Sequence, residues 1–252
     1  MEMAAVCVFL FGSCIFSFLN VVIYRLPAKM DFVTGRSMCP ACGHTLGALD
    51  MIPVFGWMFL RGRCRYCGEK VSARYPFVEF LGGAFAVMCL YCYGVSARAV
   101  IAFLFLCILT VVAFIDMDTM EIPFPLVIAA GITGVASCFF FPEISLFERA
   151  VGMACVSVPL WLLTLLVEGA FGGGDIKFMA ACGIFLGWKL NLLAFFLAVA
   201  GGGCYGIWLL AAKKKKKTDH FAFGPFLCTG AAAAMFAGDR ILDWYFGFFP
   251  GM

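Results

Sequence analysis

Long, continuously apolar runs constrain the fold of this chain more than any other feature. Strands of a membrane barrel alternate apolar and polar residues, so unbroken runs predict transmembrane helices instead. The composition agrees, because 64% of the residues are hydrophobic and only 13% are charged, against about 25% charged in soluble domains. An apolar window finds eight candidate spans: residues 3–23, 76–93, 99–115, 124–141, 150–167, 178–190, 191–211 and 221–237. We therefore expect an all-α polytopic membrane protein with about eight transmembrane helices.

The division between the sixth and seventh spans is open, because only the turn-like segment 187–191 separates them. Together with the polar stretch that follows the first span, the pattern predicts three parts. Residues 1–23 form a first transmembrane helix, and residues 24–75 form a small loop domain that contains four cysteines. Residues 76–252 form a multi-helix membrane domain.

Lysine and arginine residues are unevenly distributed between the loops. Eight lie within residues 24–75, one is Lys177, and five form the run 213–217. The opposite side receives Arg98, Arg149, Lys189 and Arg240. Loops rich in Lys and Arg stay in the cytoplasm, so the 24–75 region and the lysine run are predicted to be cytoplasmic, with both termini outside. We interpret the lysine run itself as a topology signal that faces anionic lipid.

Four cysteines in the one substantially polar stretch form two matched pairs: Cys39, Cys42, Cys64 and Cys67. Their spacing is C-x2-C-x21-C-x2-C, and a glycine follows the second cysteine of each pair. Glycine at that position permits the tight turn that directs backbone amides toward thiolates, and four thiolates close a tetrahedral zinc site. The reducing cytoplasm makes paired disulfides the weaker explanation. Because a closed site leaves no open coordination position, we expect the zinc to be structural.

Two aspartates at the edges of apolar segments, Asp116 and Asp175, are the candidate reactive groups. An ionisable side chain at the boundary of a membrane span is costly and usually functional. Asp118 follows Asp116 by two residues, so on a helix the two point about 200° apart and only one can face a shared site. Asp175 follows the glycine run 172–174, which lets the backbone bend and approach another helix closely. The alternative, that such carboxylates merely cap helices or lie among headgroups, remains open.

Two converging carboxylates are the minimal equipment of an aspartic protease. The ionised partner takes a proton from water, while the protonated partner hydrogen-bonds to the scissile carbonyl group. Two carboxyl groups a few ångströms apart do not both ionise readily, because their charges repel. The pair therefore holds one ionised and one protonated member by itself, and it titrates as one unit. Gly172, Gly174, Lys177 and Asp118 are candidate supporting residues. Lys177 either helps to position the site or simply extends to the membrane interface.

These residues belong to an ordered series of motifs that covers nearly the full chain. The series comprises residues 12–27, the two cysteine pairs with 50–54 and 60–64 between them, then 74–79, 115–118, 172–177 and 223–227. In order and spacing the chain resembles the type IV prepilin leader peptidases, the bacterial branch of the GxGD membrane aspartic proteases. The resemblance implies that Asp116 and Asp175 are the catalytic pair.

The resemblance also implies a substrate and a second activity. The expected peptidase removes the short basic leader from prepilins or pseudopilins of type IV pilus or type II secretion systems, at the cytoplasmic face of the bacterial inner membrane. The second activity is N-methylation of the new amino terminus from S-adenosylmethionine, associated with the cysteine-bearing region. The implied partners are these substrates and the lipid bilayer, without nucleic acid. The chain departs from the family pattern at two positions. The family often has Pro-Asp after the first motif, whereas this chain has Pro123-Phe124 and so lacks that carboxylate. The acidic residue that usually precedes the GxGD motif is here Glu168, one position earlier than usual.

Two alternatives stay open at this stage. A peptidase without methyl transfer is the first, because no glycine-rich nucleotide loop on a strand–helix unit is visible. The second is a transporter or a zinc-stabilised membrane assembly factor without catalysis. Transporters tend to place ionisable groups at mid-membrane in repeated halves, whereas this chain has no visible internal repeat and its carboxylates lie at one face.

Overall fold

The computed structural model describes residues 2–31, 35, 37–47, 49–167, 171–212 and 221–247. These residues form eight helices: α1 (Glu2–Arg25), α2 (Phe55–Phe59), α3 (Arg74–Tyr93), α4 (Ala97–Thr119), α5 (Phe124–Phe140), α6 (Leu146–Leu166), α7 (Gly173–Ala211) and α8 (Gly224–Gly247). Extended pairing among them is limited to two isolated bridges, Met38 with Thr45 and Arg63 with Lys70. The prediction of an all-helical fold is confirmed.

Five helices, α1, α3, α4, α6 and α7, are long and apolar enough to cross a membrane. Helix α5 is apolar but has only 17 residues. The multi-pass class is therefore confirmed, whereas the count of eight spans is not. The 39 residues of α7 would extend about 58 Å at 1.5 Å per residue, roughly twice the apolar thickness of a bilayer, which agrees with the two spans predicted there.

Helix α7 is interrupted at Gly187, inside the turn-like segment that separates those two predicted spans. Gly187 has φ 73° and ψ 174°, a conformation that a residue with a Cβ atom rarely adopts. A Cβ atom there would also lie 2.9 Å from Cγ2 of Ile144. The break leaves the carbonyl groups of the preceding turn without their usual helical partners.

Arg149 binds the carbonyl groups that this break releases. Its Nη1 donates to the carbonyl of Ile184 at 2.7 Å and to the hydroxyl of Ser137 at 2.6 Å. Its Nη2 donates to the carbonyl of Phe141 at 2.9 Å. The side chain is only 3% exposed, so Arg149, which the charge count assigns to the external loops, is an internal contact among α5, α6 and α7.

The chain divides into two compact units, Met1–Phe103 and Leu104–Met252. In the first unit, α1 and α3 pack so closely that a Cβ atom on Gly12 would lie 2.5 Å from the carbonyl oxygen of Gly82. The half-buried carboxylate of Glu79 accepts hydrogen bonds from the hydroxyl of Ser17 and from the backbone N–H of Val54. Val54 has φ 63° and ψ −55°, and the N–H of Phe55 donates to the carbonyl of Pro53, so Glu79 stabilises a γ-turn just before α2.

The second unit contains the helices that carry both aspartates. Its fully buried side chains include Ile115 on α4, Phe178 on α7 and Leu227 on α8. The lysine run 213–217 and Glu168 lie outside the described residues. The domain boundaries predicted after residues 23 and 75 stay predictions.

Candidate active site and metal site

Asp116 lies in the last turn of α4, where its side chain is 4% exposed. The N–H of Met120 donates to the carbonyl of Asp116 at 2.8 Å, which closes the helix, and Met120 has φ 56°. A left-handed conformation is unusual for a residue other than glycine. It turns the chain sharply after α4, and Glu121 and Ile122 then line the same cavity as Asp116.

Asp175 lies in the first turn of α7, behind the glycine run 172–174. A Cβ atom on Gly174 would lie 3.1 Å from Cβ of Ile122, and one on Gly172 would lie 3.2 Å from Oδ2 of Asp175. A Cβ atom on Gly173 would meet nothing within 4 Å. Gly174 therefore permits the close approach of Ile122, and Gly172 leaves room for the carboxylate of Asp175. The middle position of the motif has space for a side chain.

Both aspartates line one cavity of about 290 Å³. Its lining consists of Asp116, Met120, Glu121, Ile122, Gly172, Gly173, Gly174 and Asp175. Asp116 lies near the end of α4 and Asp175 near the start of α7, with α5 and α6 between them in the sequence. The tertiary fold therefore places the two carboxylates in one site. A cavity of this size admits a water molecule and an extended stretch of peptide backbone.

Helix α8 also reaches this site. The backbone N–H of Gly224 donates to Oδ2 of Asp116 at 2.8 Å. A Cβ atom on Gly224 would lie 2.7 Å from that same oxygen, so only glycine fits without a shift of the carboxylate. Sequence reasoning recognised the Phe223–Leu227 motif but assigned it no role.

The two remaining predicted supporting residues do not line the cavity. Asp118 is exposed on α4 while Asp116 is buried, as expected for residues about 200° apart on a helix. Lys177 is exposed, and its Nζ lies 5.5 Å from the centre of the Phe124 ring. This cation–π contact joins the first turns of α5 and α7.

The four cysteines of the loop form two hairpin turns of the same construction. In the first, the N–H of Cys39 donates to the carbonyl of His44 and the N–H of Gly43 donates to the carbonyl of Cys39. In the second, Cys64, Glu69 and Gly68 make the corresponding two bonds. Gly43 has φ 69° and Gly68 has φ 73°, so the predicted role of glycine in each turn is confirmed.

The two turns bring the four sulfur atoms together. All four lie within 4.8 Å of one another, and the Sγ atoms of Cys39 and Cys67 are 3.9 Å apart. Zinc–sulfur bonds of about 2.3 Å in a tetrahedron place the sulfurs about 3.8 Å apart. The geometry and the donor set therefore fit a tetrahedral metal ion.

The electrostatics of the four-cysteine cluster also favour a bound cation. Hydrogen bonds from the backbone N–H groups of Cys42 and Ala41 lower the pKa of the Cys39 thiol to about 7. The N–H of Glu69 acts similarly on Cys67, but burial and the neighbouring cysteines outweigh it and raise the pKa of that thiol to about 12. Four thiolates this close repel one another, so a cation among them is what would let all four ionise.

Asp50 links the two hairpin turns. Its carboxylate accepts hydrogen bonds from the backbone N–H of Gly47, from Nε of Arg65 at 2.6 Å and from the hydroxyl of Tyr66. Burial acts to raise the pKa of Asp50, but the hydrogen bond from Arg65 and the other contacts outweigh it and hold the pKa below its usual value. Asp50 is the first residue of the 50–54 motif that was identified in the sequence.

The fold and these sites define a helical multi-pass membrane protein with paired carboxylates in one cavity and a four-cysteine cluster in a polar loop. The chain belongs to the type IV leader peptidase family. The model of the Type IV leader peptidase family matches residues 103–207. The model of the bacterial Peptidase A24 N-terminal domain matches residues 10–93.

Three relatives illustrate the similarity, and each is called prepilin leader peptidase/N-methyltransferase. The protein from Aeromonas hydrophila is 32% identical, with 94% of this chain and 92% of the relative covered. The protein from Bacillus subtilis (strain 168) is 30% identical, with 94% and 96% covered. The protein from Burkholderia pseudomallei (strain 1026b) is 33% identical, with 90% and 83% covered. No solved structure matches the chain.

Proposed function

We propose that this protein is a membrane aspartic endopeptidase that removes the short basic leader from type IV prepilin-like proteins. The observation that carries the proposal is the convergence of Asp116, from the end of α4, and Asp175, from the start of α7, on one cavity. Membership of the type IV leader peptidase family and the names of the relatives support it. A transporter or a non-catalytic assembly factor is less consistent with this combination.

In the proposed mechanism the two carboxylates share one proton. The ionised carboxylate removes a proton from a water molecule, whose oxygen attacks the scissile carbonyl carbon. The protonated carboxylate hydrogen-bonds to the carbonyl oxygen and stabilises the charge that develops there. Collapse of the tetrahedral intermediate breaks the C–N bond, and a proton passes to the leaving amine. Burial of Asp116 keeps bulk water away from one partner.

The supporting residues act on the geometry of this pair. Gly174 lets the start of α7 approach Ile122, which follows α4, and Gly172 leaves room for the carboxylate of Asp175 within the cavity. We propose that Lys177 positions the first turn of α7 through its contact with Phe124. In this assignment Asp118 faces away from the reaction.

The substrate leader is basic, and the cavity carries a third carboxylate that complements it. Glu121 is exposed and lines the cavity beside the two aspartates. We propose that Glu121 attracts a lysine or arginine of the leader as the substrate enters. An ion pair at such an exposed position contributes about 0–1 kcal/mol, so its role is recognition and not chemistry.

We propose that the four cysteines hold one structural zinc ion. A zinc ion held by these thiolates would supply the positive charge that keeps them together and would tie residues 38–45 to residues 63–70. Four thiolates would complete the coordination of such an ion and leave no position for substrate. The zinc then stabilises the loop and takes no part in hydrolysis.

We also propose that the protein methylates the new amino terminus, since its relatives are named as N-methyltransferases. S-adenosylmethionine would supply the methyl group as its S–CH3 bond breaks and S-adenosylhomocysteine leaves, and the amine would lose a proton. The described residues contain helices and two isolated bridges but no strand–helix nucleotide unit. No residue is therefore assigned to this step.

The proposed location is the bacterial inner membrane, with the aspartates near the cytoplasmic face. The uneven distribution of Lys and Arg supports this orientation. A reporter fused after Lys217 should be cytoplasmic, and one fused at Pro142 should be external. A reporter in the 24–75 loop that proved external would contradict the orientation and place the thiols in the wrong redox compartment.

The direct test is to incubate the purified protein in detergent with a prepilin and to follow leader removal by mass spectrometry. Parallel reactions with and without S-adenosylmethionine separate the two activities. Cleavage in both, with a mass gain of one methyl group only in the first, is the expected result. Cleavage alone in both would leave a peptidase without methyl transfer, and no cleavage in either would contradict the proposal.

A further inference from the structure

The first turn of α8 leaves one backbone amide free to act on the reacting groups. Pro225 has no N–H group, and the N–H groups of Phe226 and Leu227 both donate to the carbonyl of Phe223, at 3.0 and 3.2 Å. The N–H of Gly224 is the remaining amide, and it donates to Oδ2 of Asp116. The Phe-Gly-Pro-Phe motif thus supplies one donor at the helix start.

We propose that Gly224 is a positioning residue that keeps Asp116 as the ionised member of the dyad, so that Asp116 is the base and Asp175 carries the shared proton. An amide that donates to a carboxylate stabilises the charged form. The positive end of the α8 dipole lies at the same place and acts in the same direction. With one oxygen of Asp116 bound to Gly224, the second oxygen is left for the attacking water.

Glycine is required at this position because of space. A Cβ atom would lie 2.7 Å from Oδ2 and 2.9 Å from Cγ of Asp116. A larger residue would therefore push the carboxylate away from the amide or displace the start of α8. Pro225 restricts the backbone at the first helical turn, which helps to keep the Gly224 amide in place.

Several other titratable groups face the dyad. Glu121 lines the cavity, and the buried thiol of Cys228, on α8, lies near enough to interact electrostatically with both aspartates and with the thiol of Cys182, on α7. A backbone N–H, that of Gly172, also faces Asp175 from the same turn. The difference is that the amide facing Asp116 comes from another helix, 108 residues along the chain. The packing of α8 can therefore set the ionisation of Asp116 separately.

The inference rests on the proposed function, and the first test avoids activity altogether. Dicyclohexylcarbodiimide modifies protonated carboxyl groups in apolar surroundings, and peptide mass mapping identifies the modified residue. In the wild-type protein at neutral pH, modification should favour Asp175 over Asp116. In Gly224→Ala the modification of Asp116 should rise several-fold. Preferential modification of Asp116 in the wild-type protein would overturn the assignment, whether or not the protein cleaves prepilin.

The second test is the pH profile of leader cleavage. Gly224→Ala should lower kcat about 10- to 100-fold with little change in KM, as expected for the loss of a hydrogen bond to a reacting charge. The acidic limb of the profile should move to higher pH by about one unit, because more alkaline conditions are then needed to ionise Asp116.

Gly230→Ala is the matched control in the same helix. Its Cβ atom would lie 2.3 Å from the carbonyl oxygen of Ala194, so it disturbs packing against α7 without touching the dyad. It should reduce the yield of folded protein but leave the pH profile and the carbodiimide pattern unchanged. If Gly224→Ala behaved like Gly230→Ala in both readouts, Gly224 would be merely structural.

A milder variant covers the case in which Gly224→Ala does not accumulate. Pro225→Gly adds no Cβ atom at position 224 but frees the backbone of the first turn, so the Gly224 amide is less well held. The acidic limb should shift in the same direction by a smaller amount. An unshifted limb and an unchanged modification pattern in this variant would overturn the proposal.

Discussion

The four-cysteine site and the aspartate cavity are built from very different lengths of chain. Each cysteine pair lies in a hairpin turn that closes within residues 38–45 or 63–70, and the backbone hydrogen bonds that close the turn are all local. The cavity instead joins the end of α4 to the start of α7, and the start of α8 contacts Asp116 across 108 residues. The first site depends on the turns and the metal, and the second depends on how three helices pack.

This contrast separates the expected consequences of substitution. A change at a cysteine should remove metal and loosen one loop, with no direct effect on the reacting groups. A change at an aspartate should stop the chemistry while the protein remains folded and metal-bound. A cysteine variant that lost cleavage, or an aspartate variant that lost metal, would show that the two regions depend on each other.

The largest effect is expected at the dyad. Asp116→Asn and Asp175→Asn should each lower leader cleavage by at least about 1,000-fold, since either change removes a proton-transfer partner while preserving size. Asp118→Asn is the control and should be much milder, because Asp118 lies outside the cavity lining. The measurement is single-turnover cleavage of a prepilin. A normal rate in Asp175→Asn would contradict the aspartic-protease mechanism.

The next effect is loss of the metal. The wild-type protein should carry about one zinc ion per chain, and Cys39→Ser or Cys64→Ser should lose it, because binding and folding of such sites are coupled. Metal analysis and limited proteolysis within residues 30–70 measure the change. Cys92→Ser, at an exposed position of α3, should keep the metal. Full zinc occupancy in a variant without both Cys64 and Cys67 would refute the site.

A smaller effect is expected within the glycine run. Gly174→Ala should lower kcat/KM about tenfold, because its Cβ atom would lie 3.1 Å from Cβ of Ile122 and crowding of this kind costs about 1–3 kcal/mol. Gly173→Ala is the matched control, since nothing lies within 4 Å of its Cβ position, and it should remain within about twofold of wild type. Equal losses in the two variants would show that backbone freedom, and not close approach, is what matters.

The smallest effect is expected at Glu121. Glu121→Gln should lower kcat/KM about two- to fivefold for a leader with lysine or arginine beside the cleavage site, consistent with an exposed ion pair. It should not change cleavage of a leader in which that basic residue is replaced by alanine. A matching loss on both leaders would mean that Glu121 acts on the dyad and not on the substrate.

The sequence was most informative where structure is local. The C-x2-C-Gly pattern predicted two turns and a four-sulfur cluster, and both are present. Each turn depends only on a few successive residues, which is why the pattern predicts it. The break in α7 was also anticipated from the segment around Gly187. The count of eight spans is not confirmed, since length and hydropathy single out five of the described helices and leave α5 and α8 aside.

Other features had no clear sequence signal. Arg149 looks like a loop charge, but it is buried among carbonyl groups near the break in α7. Met120 gives no hint that it adopts a left-handed conformation at the end of α4. Gly224 lies in a recognisable motif, yet its contact with Asp116 joins residues 108 positions apart. Such contacts depend on helix packing, which hydropathy does not describe.

The sequence by itself determined that this is a helical membrane protein, which residues form the two cysteine turns, and which aspartates are candidates for catalysis. Apolar length, residue spacing and the special backbone freedom of glycine are short-range properties, so they are readable in one dimension. Only the tertiary structure decided that Asp116 and not Asp118 lines the cavity with Asp175, and that the α8 amide faces Asp116. Those outcomes depend on the rotation and approach of separate helices, which are set by side-chain packing across the whole membrane domain.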